Sequence, residues 1–137
     1  MTIQLSVAVR NGMLDAIETV IGPGAVIKMR TGAAPANNAA ADTGTVVASI
    51  TTASDFMGAA SNGAKAFSNT PLTDVSADNT GTIGHYRVYA ADGTTCHMQG
   101  TVTLTGNGGD MTVDNNVVNQ GQQFSITTWS INMNGHA

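Results

Sequence analysis

The chain has 137 residues, only 10% of them charged, and a formal net charge of −4, which predicts one domain and rules against a basic face for nucleic acid. No stretch approaches the ~18 apolar residues of a membrane span. The first residues lack the basic start, apolar run and cleavage site of a signal peptide, so assembly in the cytosol is expected.

Met1 to Leu5 reads as an extended arm with Ile3 and Leu5 apolar. Ser6 can cap a helix running from Val7 to Ile21, and Gly22-Pro23-Gly24 stops it. Val9, Met13, Ala16 and Val20 lie along one stripe, with Leu14, Ile17 and Ile21 beside it. Together they make a wider apolar surface than one core needs, and Asp15 and Glu18 mark the expected wet side. Gly12 weakens the middle of the helix by ~1 kcal/mol relative to Ala.

Strands are expected at Ala25–Arg30, with Val26 and Ile27 as inward candidates, and at Thr45–Thr51. Between them, Thr31 to Thr43 is a loop rich in Ala, Asn and Gly, long for a small domain. Ser54 to Met57 suits a helical turn. Short strands follow at Ala64–Ser68, Leu72–Val75 and Met111–Asp114. The last, Gln122–Met133, switches parity: Phe124 and Ile126 are even, while Trp129, Ile131 and Met133 are odd. A bulge at Thr127-Thr128, or a crossing between two sheets, accounts for that.

Gly84 to Thr103 is the organising hairpin, with Asp92-Gly93 at its turn. A two-residue loop mixes polar and apolar residues on both faces. A three-residue loop, Ala91-Asp92-Gly93, places Val88 opposite Cys96 and Tyr86 opposite Met98. Tyr86, Val88, Ala90, Cys96 and Met98 then form a dry face. His85, Arg87, Tyr89, His97 and Gln99 form a wet one, open to solvent or to a neighbouring subunit. There Arg87 would find an acid such as Asp110 or Asp114 of a neighbour.

Short strands with frequent turn signals define the expected fold: mainly β, an antiparallel, jelly-roll-like β-sandwich with one N-terminal α-helix. The single domain, 1–137, divides into an arm (1–5), the helix (6–22) and the sandwich (25–137).

No residue pattern here demands catalysis or a cofactor. His85 and His97 lack the further ligands a zinc site needs. Cys96, facing away from His97, is an inert core thiol with no disulfide partner. Asp110, Thr112 and Asp114 alternate but suit turn chemistry better than calcium. There is no Gly-x-Ser-x-Gly elbow and no phosphate loop. Trp129, Tyr86 and Tyr89 suggest a sugar platform, although core packing is the simpler role for Trp129.

Val, Ile, Leu and Phe make only 27 of the 137 residues. Such thin β-structure is expected to complete its burial against partners.

Particular stretches resemble a family of small virion proteins of tailed bacteriophages and prophages. They are Val7-Ala8-Val9-Arg10-Asn11 with Leu14-Asp15-Ala16-Ile17-Glu18, then Arg30-Thr31-Gly32-Ala33-Ala34-Pro35 and Gly84-His85-Tyr86-Arg87-Val88-Tyr89. Gly93 to Gly100 and Gly109 to Asn115 complete the pattern, which runs nearly end to end. The resemblance implies a β-sandwich without a cofactor, not an enzyme, assembled in many copies in the virion. Within that class the expectation is a capsid decoration or cement protein. It would sit outside the head as a homotrimer, bind the major capsid protein and bridge capsomers. A tail or neck component is the alternative, and a host-surface glycan-binding module a further one. The interface residues expected are Ile3, Leu5, Val9, Met13, Val20, Arg87 and His97.

Overall fold

Asp92 shapes the turn at the centre of the sheet. In the computed structural model, which describes residues 3–133, its Oδ1 accepts from the Thr94 and Thr95 amides at 2.8 and 2.9 Å. Its Oδ2 accepts from the Thr95 hydroxyl at 2.5 Å. Bonds from the Thr95 hydroxyl and then the Thr95 and Thr94 amides hold the Asp92 carboxyl at about 2. Gly93 follows at φ 70°, a left-handed conformation that glycine adopts without steric cost.

This turn joins β5 (Gly81–Tyr89) to β6 (Cys96–Leu104). The Ala90 amide donates to Thr95 O, so the loop is Ala91 to Thr94, longer than expected. Tyr89 faces Cys96, His97 is an extra residue in β6, and Val88 faces Met98 with Tyr86 opposite Gly100. The main pairing has slipped by an even number of residues, so Tyr86, Val88 and Met98 keep the dry face. Cys96 does not, because the bulge returns it to the side of Tyr89.

β1 (Val26–Thr31) lies on the other side of β5. Ile27 faces Val88 and Met29 faces Tyr86 on the core side, while Val26, Lys28 and Arg30 oppose Tyr89, Arg87 and His85. Ile27, not Val26, is therefore the inward residue. β2 (Val46–Thr51) extends the sheet beyond β1, and β7 (Met111–Val113) pairs with β6 in parallel. β8 (Val117–Val118) pairs with the start of β5. The sheet is thus mixed, in the order β2-β1-β5-β6-β7.

Two small antiparallel ribbons contribute to the same core: β3 (Ala64–Ala66) with β10 (Ser130–Asn132), and β4 (Leu72–Asp74) with β9 (Phe124–Ile126). The stretch expected as one closing strand is therefore two, and its parity switch marks the crossing from one ribbon to the other. Trp129, just after the crossing, stacks on Phe67 at 4.4 Å and meets Tyr86 edge-on at 6.2 Å. Its Nε1 donates to the Tyr86 hydroxyl at 3.1 Å. No helical turn forms at Ser54–Met57; Met57 instead makes a bridge with Phe67. The protein is mainly β and sandwich-like, with α1 (Val7–Ile21) at its N-terminus. The expected arm and sandwich extend past the described residues at 1–2 and 134–137.

Candidate functional site

Helix α1 begins and ends as its sequence predicts. Ser6 Oγ accepts from the Val9 amide at 3.3 Å, and Gly22, at φ 85°, donates its amide to Glu18 O at 2.9 Å. Leu14 and Ile21 are buried and Ile17 packs on the core. The surprise is that Asp15 and Glu18, expected to be wet, are engaged by the chain itself, with Glu18 19% and Asp15 48% exposed. Asp15 Oδ1 accepts from the Ala60 amide and from Lys65 Nζ, both at 2.8 Å. Glu18 Oε1 accepts from the Phe56 and Met57 amides at 3.0 Å, and its Oε2 lies 3.3 Å from Lys65 Nζ. Asn11 Oδ1 accepts from the Gly63 amide at 2.9 Å.

The irregular segment at 56–63 has amides that need acceptors, and the polar side of α1 supplies them. Lys65, whose side chain is 2% exposed, completes the clamp by donating to Gly58 O at 2.8 Å. Burial pulls the Lys65 pKa down, but the bonds and charges of Asp15 and Glu18 outweigh it and the net shift is upward. The Lys65 bond, then the Ala60 amide, hold Asp15 below the ordinary carboxylate value.

With that side anchored, the stripe faces water. Val9, Met13 and Val20 are 48%, 49% and 67% exposed, and Ala16 between them is exposed as well. Ile3 is exposed and Leu5 half-buried. A shallow groove runs beside the stripe, lined by Met13, Ala16, Ile17, Val20, Ile21 and His97. The structure thus brings Met13, Val20 and His97 together at one surface, with Val9 on the same stripe.

Arg87 is elsewhere, and its expected exposure is corrected. The face of β5 carrying His85, Arg87 and Tyr89 is buried, at 0%, 1% and 0% exposure. The long loop after β1 lies over it. Arg87 donates to the Asn38, Ala40 and Asn37 carbonyls at 2.8, 3.2 and 3.4 Å, and its Nη1 pairs with Asp42 Oδ1. Arg30 Nη2 donates to Asp42 Oδ2 at 2.7 Å and Tyr89 Oη to Asp42 Oδ1 at 2.6 Å. Gln99 Nε2 reaches Pro35 O at 2.7 Å, and His85 Nδ1 donates to Gly32 O at 2.9 Å.

The acid that neutralises Arg87 is therefore Asp42 of the same chain, not Asp110 or Asp114 of a neighbour. Asp110 is occupied by Thr101, whose amide and hydroxyl both donate to it at 2.9 Å. Burial raises the Asp42 pKa, but the bonds from Tyr89 and Arg87 and the charges of Arg30 and Arg87 bring it down overall. Burial pushes Tyr89 up to about 12. Burial, then the charges of Arg30 and Arg87, lower the pKa of His85 despite its bond to Gly32. Arg30 Nε, Arg87 Nε, His85 Nε2 and Gln99 Oε1 are buried without a hydrogen-bond partner among the described residues.

His97, the bulge residue, lies against α1, so it and His85 do not share a site. Among the described residues no group of three or more His, Cys, Asp or Glu could hold a metal ion. Trp129, Tyr86 and Tyr89 are all buried, at 5%, 3% and 0%, which removes them as an open sugar platform. No helix among the described residues is long and apolar enough to cross a membrane.

From sequence Asp42 reads as a turn or cap residue rather than the partner of Arg30 and Arg87, and Lys65 carries no expectation. A signal for Asp42 existed: it is the one acid between Glu18 and Asp55, in the loop leaving a strand that carries Arg30. Compared with protein-family models, with curated proteins and with solved structures, the chain has no match in any of the three.

Proposed function

We propose that this chain is a structural protein of a bacteriophage virion, held in many copies on the outside of the head by the major capsid protein. One observation carries the reading: α1 buries Leu14 and Ile21, engages Asp15 and Glu18 within the chain, and still leaves a second apolar stripe facing outward. Burying a Val or Met side chain stabilises by roughly 1.5–3 kcal/mol. A helix that leaves Val9, Met13 and Val20 in water, while satisfying its polar side internally, is built to meet another chain. Ile3, on the arm just before it, is 80% exposed as well. The reading assigns no catalysis to the chain, since its buried cationic layer is closed by its own loop.

The test is the copy number of this chain in purified virions, relative to the major capsid protein. A fixed high ratio supports decoration of the head. A few copies confined to one vertex replace it with a tail or neck component, and absence from particles overturns it. Deleting residues 1–5 should weaken attachment to stripped particles while leaving the sandwich folded. If the truncated chain saturates them with unchanged affinity, the arm is not an anchor.

A further inference from the structure

The exposed stripe of α1 reads Val9, Met13, Ala16 and Val20, in steps of four, three and four residues. Steps alternating between four and three residues are those of a seam between two packed helices. The stripe is also its own reverse. Turned about an axis crossing the helix between Leu14 and Asp15, Val9 falls on Val20 and Met13 falls on Ala16. We infer that this seam receives the same seam of a second copy, antiparallel, about a two-fold axis.

Layer widths argue for that direction. Antiparallel pairing gives Val on Val, Met on Ala, Ala on Met and Val on Val, so the two axes keep one separation. A parallel pair or a three-fold bundle puts Met13 on Met13 beside Ala16 on Ala16, a thick layer next to a thin one. Charge argues for self-pairing as well. The seam itself carries none, the carboxylates of α1, Asp15 and Glu18, are paired with Lys65, and His97 is the one titratable side chain lining the groove beside it, so no carboxylate of the seam opposes a copy of itself. An acidic or basic partner would find no countercharge there.

The contact is small. A 15-residue helix is ~22 Å long and ~10 Å wide. Its footprint of roughly 220 Å² falls well below the ~800 Å² per partner of a standard interface. The pair is therefore weak in dilute solution and forms where copies are already held close. In this the inference rests on the proposed multi-copy assembly, which supplies that crowding.

The experiment uses the full chain and a charge exchange within the seam. Met13→Lys and Ala16→Glu both lie at exposed positions, and their thermal unfolding is checked against the parent. Sedimentation equilibrium up to the millimolar range should show a monomer–dimer equilibrium for the parent. Each single substitution should weaken it by about tenfold or more. The double variant should recover it, because in the antiparallel pair every introduced ammonium meets an introduced carboxylate. A double variant that stays dissociated, a trimer, or a parent that is monomeric at millimolar concentration overturns the two-fold seam. High copy number in virions without this recovery sinks the seam alone. Recovery with absence from virions sinks the assembly reading alone.

Discussion

Arg87 and Asp42 stand 45 residues apart in the chain and meet beneath the loop that follows β1. Their ion pair joins the middle of the sheet to the far end of that loop, and Arg30 and Tyr89 share the same carboxylate. Three of the five basic side chains other than histidine, Lys28, Arg30 and Arg87, lie on this face of the sheet. A single acid of the loop pairs with two of them, and loop carbonyls take further bonds from Arg87, His85 and Gln99.

Removing that acid should cost more than an ordinary surface substitution. Breaking a buried pair costs about 3–5 kcal/mol. Asp42 is 38% exposed, so Asp42→Asn is expected to lose about 2–3 kcal/mol. Arg87→Ala should destabilise the monomer too, rather than leave it folded with a weakened interface. Val88→Asp, at a core position with no exposure, should unfold it outright. Urea unfolding checks all three, and an unchanged midpoint for Asp42→Asn would show that the pair does not hold the loop.

The same layer makes stability fall in acid. His85 titrates below its ordinary 6.5 in the folded chain, facing Arg30 from β1, Arg87 from its own strand and Asp42 from the loop. The unfolded chain therefore takes up that proton first. The loss begins as pH drops below 6.5 and continues down to the folded value. Asp42 lies below 3.8, so its contribution is complete above 3.8 and fades as pH falls through its folded value. Urea midpoints should decline in two stages, and His85→Asn should flatten the first. An unchanged slope in that variant removes His85 from the account.

Lys65 holds α1 against the segment at 56–63. Lys65→Met keeps the side chain's length but loses its bonds to Asp15, Glu18 and Gly58, at an expected cost of about 1–2 kcal/mol. Hydrogen exchange should quicken in α1 and at the Ala60 amide more than in β1 and β5. The Lys65 pKa is raised above 10.5, so its contribution is complete below 10.5 and lost as pH climbs through the folded value. Uniform exchange across the chain in the variant would mean that the clamp is not local.

Two glycines should answer in opposite directions. A Cβ on Gly84 would stand 2.3 Å from Gly32 O, the carbonyl region that the His85 ring also bonds. Gly84→Ala should push the loop's start off the sheet and destabilise by about 1–3 kcal/mol. Gly12, in α1, has open space around it, and Gly12→Ala should stabilise by about 1 kcal/mol. Thermal melts of the two variants side by side give the comparison. Equal shifts of one sign would contradict the close approach at Gly84.

What the sequence by itself determined is local. Ser6 and Gly22 bound the helix because a cap and a left-handed stop act within a few residues. Asp92-Gly93 places the hairpin turn for the same reason, and alternation along β5 sorts Tyr86 and Val88 from His85 and Arg87. The tertiary structure alone decided which of those faces meets water. Asp15 and Glu18 were engaged within the chain because amides at 56–63 needed acceptors, and Arg87 was buried because Asp42 arrives from 45 residues away. Hydropathy weighs each side chain alone, whereas a polar group is buried when a distant part of the chain brings its partner.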